Sequence, residues 1–345
     1  MNLLRRSAAL AFALAATVGP LSAQQNTPSA GKSVRVGSGV YEVAVHDASN
    51  RVFAATTGSG DEGGQVYVLD GATLDRIRTI PTPDHTPYGI AVAQTSGTVY
   101  ATDTRAGAVL VIDIASMQMV EVIENPADES GHLREIVVDD VNGRVYVSSY
   151  GENGLIWVID DASRTLVDTF TQVGNGTSGM ALGADGARLW AANMAGGDIT
   201  ELDAFTGAEL RRFPAGGERP SNLAYDAERD RLWVANQTTN DATVIDVAAG
   251  EVLKSVAVGD QALGIRFNPV NDMVYVTARR SGIVTAVDAE SMNVVTWMQT
   301  GSYPNTVAVN GMTGDAYVSN KARSAGRDAP PVNDPNGDTV TAIRR

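Results

Sequence analysis

The sequence contains no cysteine, which excludes a disulfide, a thiolate zinc site, a covalently attached haem and a lipid-bearing thiol. Histidine is almost as scarce, with three in 345 residues, so imidazole chemistry has few places to occur. After the first 23 residues no apolar run approaches the roughly 20 residues that a membrane-spanning helix needs, and no amphipathic helical pattern points to membrane attachment. There is no Gly-x-Ser-x-Gly elbow. The glycine runs Gly58-Ser59-Gly60 and Gly216-Gly217 lack the spacing and the following helix of a dinucleotide or phosphate loop. Asp334-Pro335-Asn336-Gly337-Asp338 begins like a calcium loop, but its sixth position is Thr339 and its twelfth is Arg345, which rejects an EF-hand. No cofactor is expected.

Basic residues are also in deficit. The 26 Lys and Arg stand against 40 Asp and Glu, a net charge of −14. Such an excess repels phosphate backbones on average, so general nucleic-acid binding is disfavoured. Arg5 and Arg6 precede an apolar run from Ala8 to Val18 and a small-residue site at Leu21-Ser22-Ala23, the pattern of a secretory leader cleaved after Ala23. Adjacent arginines fit both the general and the twin-arginine export routes. Without that leader the chain has 24 basic and 40 acidic residues, net −16. Gln24 to Gly31 reads as a disordered lead-in, and the protein is expected to be a soluble periplasmic monomer.

What the sequence has in abundance is repetition. An aromatic recurs as Phe53, Tyr100, Tyr146, Trp190, Trp233, Tyr275 and Tyr317, at steps of 47, 46, 44, 43, 42 and 42 residues. Each copy reads as four short strands, a to d, separated by Asp, Asn, Gly and Thr clusters. In strand b both faces are apolar, as in Arg231-Leu232-Trp233-Val234-Ala235, so each sheet must be covered on both sides. Such a period and such sheets match radial blades. The seventh copy has no strand d, and Lys32 to Gly37 resembles Lys254 to Gly259. The N-terminal segment therefore completes the last blade and removes an exposed edge. The expectation is one all-β domain, a seven-bladed β-propeller over residues 32–345.

Tyr275-Val276-Thr277-Ala278, Tyr317-Val318-Ser319-Asn320, Trp233-Val234-Ala235-Asn236 and Trp190-Ala191-Ala192-Asn193 resemble the YVTN-type propeller repeat. From Lys32 to Arg345 the chain is similar to the YncE-like periplasmic propeller proteins. The resemblance implies a seven-bladed ring in the periplasm and carries no catalytic residue onto this chain. The aspartates Asp70, Asp113, Asp160, Asp203, Asp246 and Asp288 end the c strands and are expected to hold turns.

Function should lie where the copies disagree. The b–c loops and d–a connections vary in length and share one end of the ring, which makes that end the candidate binding face. Aligned a strands place Tyr41, Tyr88, Arg134, Ser178, Ser221, Leu263 and Asn305 in one ring, with Glu42, Gly89, Glu135, Gly179, Asn222, Gly264 and Thr306 in the next. Their diversity marks a polar funnel, with Tyr41, Glu42, Tyr88, His132, Arg134, Glu135, Arg219, Asn222 and Asn305 as candidate ligand contacts. His46 belongs to an a–b turn. His85 and His132, on the candidate face, are placed to join Glu42 or Glu135 in a metal or acid–base pair, though no fixed spacing supports one. Arg279, Arg280, Lys321, Arg323 and Arg327 form a basic arc on blades 6 and 7, an anion-binding candidate that Asp328, Asp334 and Asp338 are placed to neutralise. Three functions follow: a non-catalytic module for a small molecule or a periplasmic protein, a lactonase-like hydrolase using His132 and Glu42, and local nucleic-acid or anion binding at the arc. The first is preferred.

Overall fold

The structure is a computed structural model that describes residues 27–59, 63–128, 131–324 and 332–345. The leader and Arg327 lie outside these residues. Seven four-stranded antiparallel sheets form an all-β propeller. Blades 1 to 6 run Val40–Pro81, Pro87–Glu124, Leu133–Phe170, Thr177–Pro214, Pro220–Ala257 and Ala262–Gln299, and blade 7 runs from Tyr303 to Arg344. Its fourth strand is Ser29–Arg35, which lies antiparallel to Thr339–Arg344. The ring thus closes as the repeat predicts, but the closing strand begins at Ser29 rather than Lys32. The c strand of blade 7 reaches Arg344, so Ser29 and Ala30 find partners opposite Arg344 and Ile343 and are no longer lead-in.

Strands a and b are buried because each sheet packs on both neighbours, while strands d face water, as in Glu209–Pro214. All seven repeat aromatics lie in the interior, at no more than 1% exposure, and wedge adjacent blades apart. Trp190 and Trp233 leave their indole Nε1 without a partner, so shape rather than hydrogen bonding selects them. The six strand-c aspartates each accept a backbone N–H from the residue three positions on, at 2.6–2.9 Å. The carboxylates therefore hold the c–d turns, as the sequence predicts.

The third residue of the YVTN repeat stitches the blades together. Thr102, Ser148, Thr277 and Ser319 each receive the amide of a second-ring residue in their own blade. Each hydroxyl then donates to a first-ring carbonyl of the next blade, at Arg134, Ser178, Asn305 and Tyr41. Blades 1, 4 and 5 carry Ala55, Ala192 and Ala235 there, and in blades 4 and 5 Ser178 and Ser221 take over, bonding the carbonyls of Ser221 and Leu263 respectively. Ser148→Ala should cost about 1–3 kcal/mol, because the Glu135 amide and Ser178 carbonyl lose a buried partner. Denaturant unfolding of the variant would measure this, and an unchanged midpoint would contradict it.

Candidate functional site

The free edges of the seven a strands surround the central channel. On the b–c-loop face a cavity of about 70 Å³ opens between Tyr41, Tyr88, Arg134, Leu263 and Asn305, floored by Glu42, Glu135 and Asn222. The first ring is therefore the mouth and the second its floor. Two of the expected contacts stand apart. Arg219 is exposed on the rim, bonded to Gln237 and Met194. His132 stacks on Tyr150 at 5.5 Å and shares no hydrogen bond with Glu42; burial and the charge of Arg134 hold its pKa down. His85 is tied to Asp103 at 3.0 Å; His46 ends strand a of blade 1, paired opposite Arg51, rather than lying in the turn, and is bonded to Ser49 and the Gln94 carbonyl.

Diversity in the second ring has a packing cause that sequence comparison alone misassigns. Residues alternate around it: Glu42, Gly89, Glu135, Gly179, Asn222, Gly264, Thr306. A Cβ on Gly89 would sit 2.3 Å from the Arg134 carbonyl, and one on Gly179 2.4 Å from the Asn222 Cα. The ring has no room for seven side chains, so each glycine yields to a larger neighbour. Glu42, for example, reaches over Gly89 to accept the Ile90 amide at 3.1 Å.

The basic arc does not hold together. Arg323 is exposed and pairs at 4.0 Å with Asp334, a buried carboxylate already bonded to Ser302 and the Arg323 amide. Arg280 is exposed beside an open cleft between blades 6 and 7. Arg279 and Lys321 instead turn into the mouth. Arg279 hydrogen-bonds Asn305, and Lys321 Nζ lies 5.1 Å from the centre of the Tyr41 ring. Arg134 reaches Tyr41 Oη at 3.4 Å and lies over Tyr150, while Arg105 bonds Tyr88 Oη at 3.1 Å. Tyr41 and Tyr88 stack edge-on at 5.1 Å. Among the described residues none of these four cations forms an ion pair. Arg134 Nε and Arg279 Nε are buried without a partner. Burial and mutual repulsion push the pKa of Arg279 and Lys321 down.

These inward-turning residues were readable. Four residues past each repeat aromatic, at the end of strand b, stand Thr57, Thr104, Tyr150, Met194, Gln237, Arg279 and Lys321, a third ring around the mouth that varies as much as the first two. Comparing a strands alone overlooks it.

Beneath the mouth, Glu42 and Glu135 are buried together, at 6% and 8% exposure. Burial, and then the charge of Glu135, lift the Glu42 pKa well above 4.5, against the opposing Arg266 charge and Ile90 amide. Glu135 is lifted by burial and moderated by Arg266 and Asn222. A folded state that holds this proton more tightly than the unfolded chain loses stability as pH rises from about 4.5 through the folded pKa. Glu42→Gln keeps an acceptor for Ile90 and removes the charge. Its melting temperature should match the parent near pH 4 and exceed it by a few degrees at pH 8; parallel curves would show that Glu42 carries no such penalty.

The molecule is thus a seven-bladed propeller with a cation-lined channel mouth. No protein-family model matches the chain. YncE proteins of Salmonella typhimurium (strain LT2) and Escherichia coli (strain K12), both described as uncharacterized, are 31% and 32% identical over 300 residues, covering 84% of this chain and 84% of theirs. The chain belongs to the YncE family. The Kuenenia stuttgartiensis hydrazine synthase shares 18% identity over 83% of this chain and 94% of its own, with a TM-score of 0.69; at that identity the likeness shows the fold alone.

Proposed function

We propose that the protein is a non-catalytic periplasmic binding module whose channel mouth captures the anionic group of a small ligand. The convergence of Arg134 and Lys321 on Tyr41 and of Arg279 on the adjoining Asn305, with no carboxylate paired to them among the described residues, carries this reading. A preorganised set of cationic donors is what an oxyanion needs. The cavity of about 70 Å³ suits a carboxylate or phosphate group, with the rest of the ligand lying across the loop-rich face. Turnover is disfavoured because His132, the base that hydrolysis would enlist, lies against Tyr150 rather than beside Glu42.

The test is native mass spectrometry of protein recovered from periplasmic extract, followed by calorimetry with citrate and inorganic phosphate. A retained or saturable anion is expected. Recovery in the cytoplasmic fraction would overturn the location, and absence of saturable binding by either probe would overturn the anion reading.

A further inference from the structure

The channel has a second opening where the a–b turns lie, and its charge pattern differs from that of the mouth. A cavity of about 350 Å³ occupies this end, within the range of small-molecule sites. Arg266 projects from strand a of blade 6 and lines it. Its equivalents in the other blades are Ala44, Ala91, Val137, Ala181, Ala224 and Ala308. Six small apolar residues and one guanidinium occupy a single repeat position, and nothing in blade geometry requires the exception.

Arg266 has no hydrogen bond or ion pair among the described residues, although it lies half-buried. The charges that act on it across the channel are those of Glu42 and Glu135, which lie beyond ion-pair distance. The other polar groups at this end are already engaged. Gln94 bonds the Val45 carbonyl and the Asp47 amide, Asp140 accepts the Thr95 amide, and Tyr225 donates to Asp230 at 2.7 Å. The next position along each strand is apolar in every blade: Phe267 in blade 6, and Val45, Val92, Val138, Leu182, Tyr225 and Val309 elsewhere. Several of these are partly exposed to the cavity, among them Val138, Leu182, Phe267 and Val309.

We infer that this cavity is a second ligand site, separate from the mouth, that takes a small monocarboxylate with a compact apolar body. The guanidinium of Arg266 receives the carboxylate, because its planar fork matches two oxygens, and the surrounding apolar ring takes the body. The Glu42 and Glu135 pair forms the wall between the two sites, and the single guanidinium of Arg266 supplies charge for one carboxylate, which restricts the ligand to one.

Phenylacetate is the probe, with phenylacetamide as its uncharged isostere and citrate as a polyanion. Calorimetry should show saturable phenylacetate binding, at least tenfold weaker binding of phenylacetamide, and no competition by citrate. Arg266→Ala should weaken phenylacetate at least tenfold and Arg266→Lys by less, while Arg78→Ala, on the exposed strand d of blade 1, leaves it unchanged. If Arg266→Ala does not fold, the lysine variant and the acid–amide comparison on the parent protein still decide. The inference is overturned if acid and amide bind alike, if the Arg266 variants bind phenylacetate as the parent does, or if the parent shows no saturation up to about 10 mM. A lower melting temperature in Arg266→Ala with unchanged phenylacetate affinity would mark Arg266 as a counter-charge for the glutamates alone.

Discussion

Deleting residues 29–36 is expected to cost about 5 kcal/mol, because five paired positions with strand c of blade 7 are lost at about 1 kcal/mol each. Packing is lost as well. Val34 and Val36 cover a cluster that joins Val340 and Ala342 of blade 7 to Tyr67 and Leu69 of blade 1. The deletion would also free the outer edge of Thr339–Arg344, a template for intermolecular pairing. The shortened protein should melt at least 10 °C lower, at roughly 2–4 °C per kcal/mol, and should run as aggregates on a sizing column. A synthetic peptide of residues 29–37 added in trans should restore the melting temperature and the monodisperse peak. A shortened protein that melts as the parent does would show that the ring is held by blade packing and does not need its closing strand.

That closure was legible in the sequence because repetition supplies its own control. One copy lacks a strand, one segment elsewhere matches it, and antiparallel pairing admits one arrangement. The site was legible in part. Aligning the a strands brought Tyr41, Arg134 and Asn305 to the mouth, since one alignment fixes seven radial positions at once. Diversity, however, has two sources. At Gly89 and Gly179 it records the limited space of a ring that must alternate large and small residues, and at Ser178 and Ser221 it compensates for alanine in strand b. At Arg266 and Arg279 neither explanation applies. Separating these cases needs the distance from each Cβ to the neighbouring blade, which no sequence position states.

The same distinction sets the expected result at the mouth. Arg134 and Arg279 each present a buried Nε without a partner, and charge-assisted hydrogen bonds contribute about 1.5–3 kcal/mol each. An Arg134→Ala, Arg279→Ala double variant should therefore bind citrate or phosphate at least a hundredfold more weakly than the parent. Folding should not suffer, because the substitutions remove crowded like charges: burial and the neighbouring cations already hold the Arg279 pKa down. The melting temperature without ligand should stay level or rise, while the stabilisation that citrate gives the parent disappears. Salt separates this from the nucleic-acid reading. A small anion held by two or three cations loses affinity gently with ionic strength, whereas a phosphate backbone tracking the face would release several counterions and show a steep slope. A double variant that retains parental affinity would move the anion site away from the mouth, and a steep salt slope with an oligonucleotide, lost in the same variant, would assign the cations to nucleic acid instead.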